Sequence, residues 1–429
     1  MSIEPVGNLV RAHKRGEVVG IPSICSSHPT VLESAMRRAV KTGTPLLIES
    51  TCNQVNQFGG YTGMTPRDFV AFVQHLADEN GLPAGQLILG GDHLGPSVWQ
   101  DEPEDSAMNK SEQLVGNYIH AGFRKIHLDA SMKLADDDST LPLDIEISAR
   151  RAARLAKVCE ETHAKMPGTP APRYVIGSEV PVPGGAHEHE DGVRVTWVED
   201  ARQTIEVIQA AFIREGLEAA WERVIALVVQ PGVEFGDDFI LDYQPEKASA
   251  LSNFIESESR LVYEAHSTDY QTRNRLRDLV HDHFAILKVG PALTFAYREA
   301  VFALAMIEKQ LFDEGDRSNL IACMDDAMLS EPHHWQKYYT GRPDEQAFKR
   351  KYSFSDRIRY YWTAPQVKDA VRKLMTNLGT TPLPLTLLSQ RLPVQHRKIR
   401  SGELENTPSA IIQDKINEVL IDYSYACGS

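Results

Sequence analysis

Several stretches of this sequence set acids and imidazoles close together. GGDHLGP carries Asp92 and His93, IHLDAS carries His127 and Asp129, and QPGVEFGD carries Gln230 and Glu234. EAHSTD adds Glu264, His266, Ser267 and Asp269, and LKVGPAL adds Lys288. SEVPVPGGAHEHEDG is the densest, with Glu179, His187, Glu188, His189, Glu190 and Asp191. Neutral imidazoles with carboxylates form the ligand set of a divalent transition metal that keeps a position open for substrate oxygens. A carboxylate left outside the metal can move a proton. In GGDHLGP, His93 suits the metal and Asp92 the proton, the alternative being that Asp92 caps the next turn. GGAHEHEDG reads either as a His/Glu cluster or as a loop closing on substrate about Gly184 and Gly185. Lys288 could form a Schiff base, but the His/Glu set around it favours metal.

These residues need a scaffold that brings distant segments to one place. Short apolar runs recur at Val18–Ile24, Thr44–Glu49, Gln86–Gly91, Lys125–Asp129, Tyr174–Glu179, Ala226–Gln230, Leu261–Ala265 and Ala285–Val289. Most are rich in Val, Ile or Leu on both faces, as strands covered by helices must be. Amphipathic stretches lie between them, opened by Thr65-Pro66 and closed by Gly43, Gly81 and Gly122. Eight strand–helix pairs in order predict an α/β protein with a (βα)8 TIM barrel over 1–310. A doubly wound open sheet is the rival, and its GxGxxG fingerprint is missing. Such a barrel builds its site at the C-terminal strand ends, where all the residues above fall. The first two strand ends add Ser23, Ser26, Ser27, His28, Glu49 and Asn53. Ser26, Glu49, Asp129, Ser267 and Lys288 are read as substrate contacts there.

From about Asp313 the apolar runs stop, and 311–429 reads as an all-helical C-terminal extension. Pro365–Leu378 and Ser409–Tyr423 are its clearest helices. Its aromatics, Trp335, Tyr338, Tyr339, Tyr360, Tyr361 and Trp362, would pack it onto the barrel or offer a partner face.

Composition narrows the function. The 429 residues are 42% hydrophobic and 24% charged, ordinary for a soluble globular chain. A net charge of −14 argues against nucleic acid as a partner. No run is apolar and long enough for a membrane span, and the N-terminus has no signal-peptide core, so a cytoplasmic protein is expected. Five scattered cysteines form neither a disulfide framework nor a zinc-finger pattern. GxxxxGK[ST] and GxSxG motifs are absent, which leaves a nucleotide-dependent kinase without support.

Taken together, GIPSICSSHPTVLESAM, GGDHLGP, SEVPVPGGAHEHEDG, QPGVEFGD, EAHSTDYQ, LKVGPALTFAYREA and YSFSDRIRYYW resemble the tagatose-bisphosphate aldolase Z-type subunit family over nearly the whole chain. That family is linked to class II, metal-dependent ketose-bisphosphate aldolases. The resemblance implies an accessory subunit that supports a catalytic aldolase partner in galactitol- or tagatose-type carbohydrate catabolism. Members also carry the label tagatose 6-phosphate kinase, and related proteins are C4 epimerases on ketoses or uronates. An autonomous metal-dependent epimerase or aldolase is therefore the alternative reading.

Carried over by position, the aldolase pattern makes Asp92 and Glu179 the proton-transfer residues. It makes His93, Glu234 and His266 the ligands of a divalent metal, zinc by preference and manganese otherwise. Three departures stand out. Glu234 occupies a position where aldolases have histidine, and Gly290 one where they have the asparagine of a phosphate cradle. Ser267 likewise follows His266 where the aldolase motif has glycine. The implied partners are a small sugar or sugar phosphate and a catalytic aldolase subunit, with self-association left open.

Overall fold

In the computed structural model, the structure describes residues 4–177 and 193–428. Strands β1 (Ile21–Ile24), β2 (Leu46–Thr51), β3 (Leu87–Leu94), β4 (Lys125–Leu128), β5 (Arg173–Gly177) and β6 (Val224–Val228) alternate with helices. After β6 comes a two-stranded antiparallel ribbon, β7 (Glu234–Phe235) and β8 (Ile240–Leu241). Strands β9 (Val262–Ala265) and β10 (Phe284–Val289) complete the set. Eight of these strands close into one parallel barrel in the order β1-β10-β9-β6-β5-β4-β3-β2. The predicted barrel is therefore present, with strand ends within about three residues of those expected. The ribbon that carries Glu234 was not foreseen.

Local signals set the helix boundaries. Thr65 accepts from Asp68 N–H while Asp68 accepts from Thr65 N–H, a capping box that starts Pro66–Glu79. Gly43 and Gly122 take left-handed conformations (φ 70° and 110°) that end Pro29–Thr42 and Glu104–Ala121. An N-terminal helix, Glu4–Lys14, plugs the lower end of the barrel. Val6 and Val10, one turn apart, join Ile21, Leu47, Ile88, Val175, Val262 and Ile286 in a separate apolar cluster there.

Beyond Leu311 the described residues form only helices and turns, among them Leu320–Ser330, Pro343–Tyr352, Pro365–Leu378 and Pro408–Cys427. The outer hydrophobic core runs unbroken from the barrel helices into these elements. The last helix lies against Pro29–Thr42, Arg273–His281 and Pro291–Leu311. Its Tyr423 hydroxyl bonds Thr268 behind the β9 end, and the Cys427 carbonyl accepts from Gly20 N–H at 3.1 Å. Of the aromatics singled out, Trp335, Tyr339, Tyr361 and Trp362 are buried. Tyr360 packs edge-on to Tyr61 at 4.7 Å and Trp362 to Tyr297 at 4.9 Å. Each thus joins the extension to a barrel element.

Candidate active site at the barrel mouth

Inside a barrel, residues two apart along a strand share the inner face. On β2, β3, β9 and β10 the inner line is apolar at the bottom and ionisable at the top, while on β4 it is ionisable throughout. Leu47 leads to Glu49 on β2, Ile88 leads through Gly90 to Asp92 on β3, and Ile286 leads to Lys288 on β10. Val262 leads to Glu264 and then His266, while β4 contributes Lys125, His127 and then Asp129.

The upper layer is a continuous charge network. Lys125 Nζ lies 2.6 Å from both Glu49 Oε1 and Glu264 Oε2. Lys288 Nζ pairs with Glu49, lies 2.9 Å from Asp92 Oδ1 and 3.6 Å from Glu264 Oε1. Glu49, Lys125, His127 and Glu264 are all 0% exposed. Gly90 makes room for this layer, since a Cβ there would come within 2.7 Å of Glu49 Oε1. Gly95, three residues past Asp92, passes so close to the Asp129 carbonyl oxygen that a Cβ would overlap it at 1.7 Å. These two close approaches account for two of the three glycines of GGDHLGP.

Above the ion pairs stand three imidazoles. The rings of His93 and His266 are 4.9 Å apart, and His127 lies 5.3 Å from His93 and 5.2 Å from His266. His93 Nδ1 donates to Asp129 Oδ2 at 2.8 Å, a carboxylate–histidine pair of the kind that orients a metal ligand. His127 Nδ1 lies 2.9 Å from Asp92 Oδ1, and its buried Nε2 has no hydrogen-bond partner. His266 Nε2 lies 3.1 Å from Glu264 Oε1.

Burial pushes the Asp92 carboxyl up, but His93, Lys288 and His127 outweigh it and hold it well below the usual carboxylate range. Desolvation lowers His93, yet Asp92 and Asp129 overcome it and raise its pKa. His266 is pushed down to about 4 by burial. Glu234 is pushed up to about 7 by burial, against hydrogen bonds from Phe235 N–H and Ser267.

The donor set suits a divalent cation. Buried Glu49, Asp92, Asp129 and Glu264 face only two buried ammoniums, Lys125 and Lys288. With His93 protonated the layer is one negative charge in excess, and with every imidazole neutral, as a metal ligand must be, it is two, which a divalent cation would balance. Donor atoms of Asp92, His127, Glu264 and His266 gather within 4.8 Å of one another. Of the expected ligands, His266 belongs to that group and His93 stands beside it. Glu234 lies on the β7–β8 ribbon, bonded to Phe235 N–H and Ser267, and is outside the group.

The other predicted residues fall as follows. Asp92, Ser267 and Lys288 line the mouth cavity with His93 and His266. Asp129 backs His93. Glu49 lies beneath the cavity as the common partner of both lysines. Ser26 lines an adjoining cavity and accepts from His28 N–H at 3.2 Å. Glu179, His187 and His189, with the Gly184–Gly185 hinge, lie outside the described residues.

Two non-glycine residues at strand ends on opposite sides of the barrel mouth take left-handed conformations, His93 (φ 47°) and Ser267 (φ 53°). Ser267 thus adopts the conformation that the glycine of the aldolase motif would take freely. Such strain concentrates at functional sites and costs about 1–3 kcal/mol per residue.

Sequence reasoning left Lys125, His127 and Glu264 without roles, although two-residue steps back from Asp129 and His266 reach each of them. It also missed Tyr61, Arg359 and Tyr360, which line the mouth cavity from a β2 loop and from the extension.

A closed parallel barrel with a buried charge layer and clustered imidazoles at its C-terminal end defines the class: a (βα)8 barrel with a candidate metal site at its mouth. The chain belongs to the D-tagatose-1,6-bisphosphate aldolase subunit GatZ/KbaZ-like family, whose model matches residues 6–428. It is similar to a protein described as a probable tagatose 6 phosphate kinase from Sinorhizobium meliloti 1021. That similarity is 45% identity with a TM-score of 0.87, over 95% of this chain and 100% of that one. Far more distant are the YdjI aldolase from Escherichia coli K12 (11% identity, TM-score 0.44, 85% and 93% covered) and the fructose-bisphosphate aldolase of Campylobacter jejuni (13%, 0.45, 86% and 91%). Among the described residues, no helix is long and apolar enough to cross a membrane.

Proposed function

We propose that this chain serves in a tagatose-1,6-bisphosphate aldolase system of carbohydrate catabolism and itself converts a ketose or keto-sugar acid at its barrel mouth. The observation that carries this reading is the buried layer of four carboxylates against two ammoniums beneath three clustered imidazoles. With its imidazoles neutral the layer is two negative charges in excess, which suits a zinc or manganese ion held by His93, His266 and a neighbouring carboxylate. Such an ion supplies polarisation of a carbonyl and its adjacent hydroxyl.

The chain's own residues do the rest. Asp92, kept ionised by Lys288 and His127, is the proton acceptor at the mouth. Lys288 offers an ammonium to oxygen charge developing beside it. Asp129 fixes the His93 tautomer, so that Nε2 is the atom free to bind. Glu234, with its carboxyl near neutrality, can return a proton, a role that complements Glu179. Either C–C cleavage or epimerisation at C4 begins with this proton abstraction next to a polarised oxygen.

A second reading makes the chain an accessory subunit that stabilises a catalytic partner. It is favoured by Asp269, whose Oδ1 accepts from Gly290 N–H at 3.0 Å and Ala292 N–H at 2.8 Å. Those amides open a helix, the usual place for a phosphate, and here a carboxylate already occupies them. A proton NMR time course separates the readings, using the metal-supplemented chain in D2O with tagatose 1,6-bisphosphate, tagatose and tagaturonate. New sugar or triose signals that vanish in Asp92→Asn are expected. Conversion that appears only after a catalytic aldolase subunit is added would establish the accessory role instead.

A further inference from the structure

The mouth cavity measures about 90 Å³, well short of the roughly 300–1,000 Å³ typical of small-molecule sites. A ketose engaging Asp92 must therefore extend beyond it. One neighbouring cavity, of about 430 Å³, shares Cys25, Gln54, Tyr61, Gly290, Pro291 and Arg359 with the mouth. The chemistry changes sharply between the two. The mouth contains Asp92 and Asp269, whereas no aspartate or glutamate lines the second cavity among the described residues. Its charged side chains are the cations Arg359 and Lys368.

Arg359 stands at the junction. Its guanidinium donates to the carbonyls of Ser355 and Asp356 at 2.5 and 3.0 Å and to the Tyr360 hydroxyl at 2.9 Å. These contacts fix its position, and among the described residues no carboxylate lies within ion-pair distance of it, the buried Asp356 and Asp269 acting on it only from farther off. Lys368, on the helix Pro365–Leu378, also has no ion pair among the described residues. A half-buried, braced and unpaired arginine beside a second cation, in a cavity without acids, is the electrostatic complement of an oxyanion. The helix that opens at Gly290 cannot serve instead, because Asp269 holds its amides and would repel an anion.

We infer that the cavity between the barrel mouth and the C-terminal extension is the binding subsite for an anionic terminus of the sugar, with Arg359 as its principal ligand and Lys368 as its outer one. This inference rests on reading the mouth as a ketose site. The extension thereby completes the active site rather than only bracing the barrel. The shared chemistry is a terminal oxyanion, either the phosphate of a sugar phosphate or the carboxylate of a keto-sugar acid.

Calorimetric titration of the full chain tests this without turnover, using inorganic phosphate, tagatose 6-phosphate, tagaturonate and unphosphorylated tagatose as probes. At least one anionic sugar should bind the native chain more tightly than tagatose, and whichever does so identifies the group. Arg359→Gln should weaken that ligand roughly 10- to 100-fold and tagatose far less, so that the preference for the anionic sugar is lost. Arg359→Lys should restore part of the loss, and the exposed Lys368→Ala should cost only about two- to fivefold. Equal affinity of native chain and Arg359→Gln for every anion, with unchanged melting, would overturn the proposal. So would a native preference for neutral tagatose. If Arg359→Gln does not fold, Lys368→Ala decides, and an unaltered affinity there counts against the subsite. The two readings fail separately. Anion binding that depends on Arg359 without any sugar conversion keeps the subsite and sinks the ketose chemistry, while conversion without anion preference does the reverse.

Discussion

Along each inner face of the barrel, two residues separate an interior that obeys packing from one that obeys electrostatics. At the lower end Leu47, Ile88, Val262 and Ile286 close around Val6 and Val10 of the N-terminal helix. At the upper end the same strands present Glu49, Asp92, Glu264 and Lys288. The lower half gains stability from burial at roughly 25 cal/mol per Å² of apolar surface. The upper half forgoes that gain and buries charges whose mutual attraction offsets their desolvation only while every partner is present. A chain concerned with stability alone would fill both ends with aliphatic residues. The difference marks where the fold is bent toward chemistry.

The largest break in this contrast should come from Lys125→Met. It leaves Glu49 and Glu264 buried with one ammonium fewer, and the chain should lose about 3–5 kcal/mol in urea unfolding. Lys125→Met paired with Glu264→Gln should recover part of that loss, because one charge then leaves with its partner. Next is Gly90→Ala, whose Cβ would meet the Glu49 carboxylate that both lysines hold in place. A loss of about 1–3 kcal/mol is expected. A loss that does not shrink in a Glu49→Gln background would show that the glycine serves something other than this layer.

Acid should separate the two ends. At the lower end His13 Nε2 lies 2.9 Å from His283 Nδ1, and burial lowers the pKa of both rings. A folded-state pKa below the unfolded value near 6.5 means that the unfolded chain binds more protons. Stability is then full above about pH 6.5 and falls as pH drops through the folded-state pKa values. Asp92 and Glu264 at the upper end are held far below the usual carboxylate range, so their contribution persists to much lower pH. Melting between pH 7.5 and 5 should therefore fall with the lower pair and with His266, held near 4 at the upper end, so His13→Gln should remove only the lower pair's share of the fall and His266→Gln the rest. The smallest effect is expected for Ser267→Gly, which removes a left-handed serine and should change stability by no more than about 1 kcal/mol in either direction.

The eight strands were legible because each is a short Val/Ile/Leu run bounded by turn residues, a pattern that local physics writes directly into sequence. Asp92, His93, Ser267, Lys288 and His266 were legible for a related reason, since they follow those runs and the barrel sends strand ends to one place. Lys125 was hidden because a lysine at the start of an apolar run reads as a strand edge, while closure of the barrel buries it completely. The β7–β8 ribbon has two residues per strand, too few for any periodicity, so the removal of Glu234 from the imidazole cluster could not be read. Arg359 lies more than 260 residues from Asp92, and only the packing of Tyr360 and Trp362 against Tyr61 and Tyr297 brings it to the mouth.

The charge imbalance above the apolar plug suits a divalent cation, and metal content decides whether one is held there. Elemental analysis of the purified chain after dialysis against zinc or manganese measures it, with His93→Ala and His266→Ala alongside. One ion per native chain, lost in both variants while circular dichroism stays unchanged, is the predicted result. A native chain that stays folded and retains no divalent ion would contradict it.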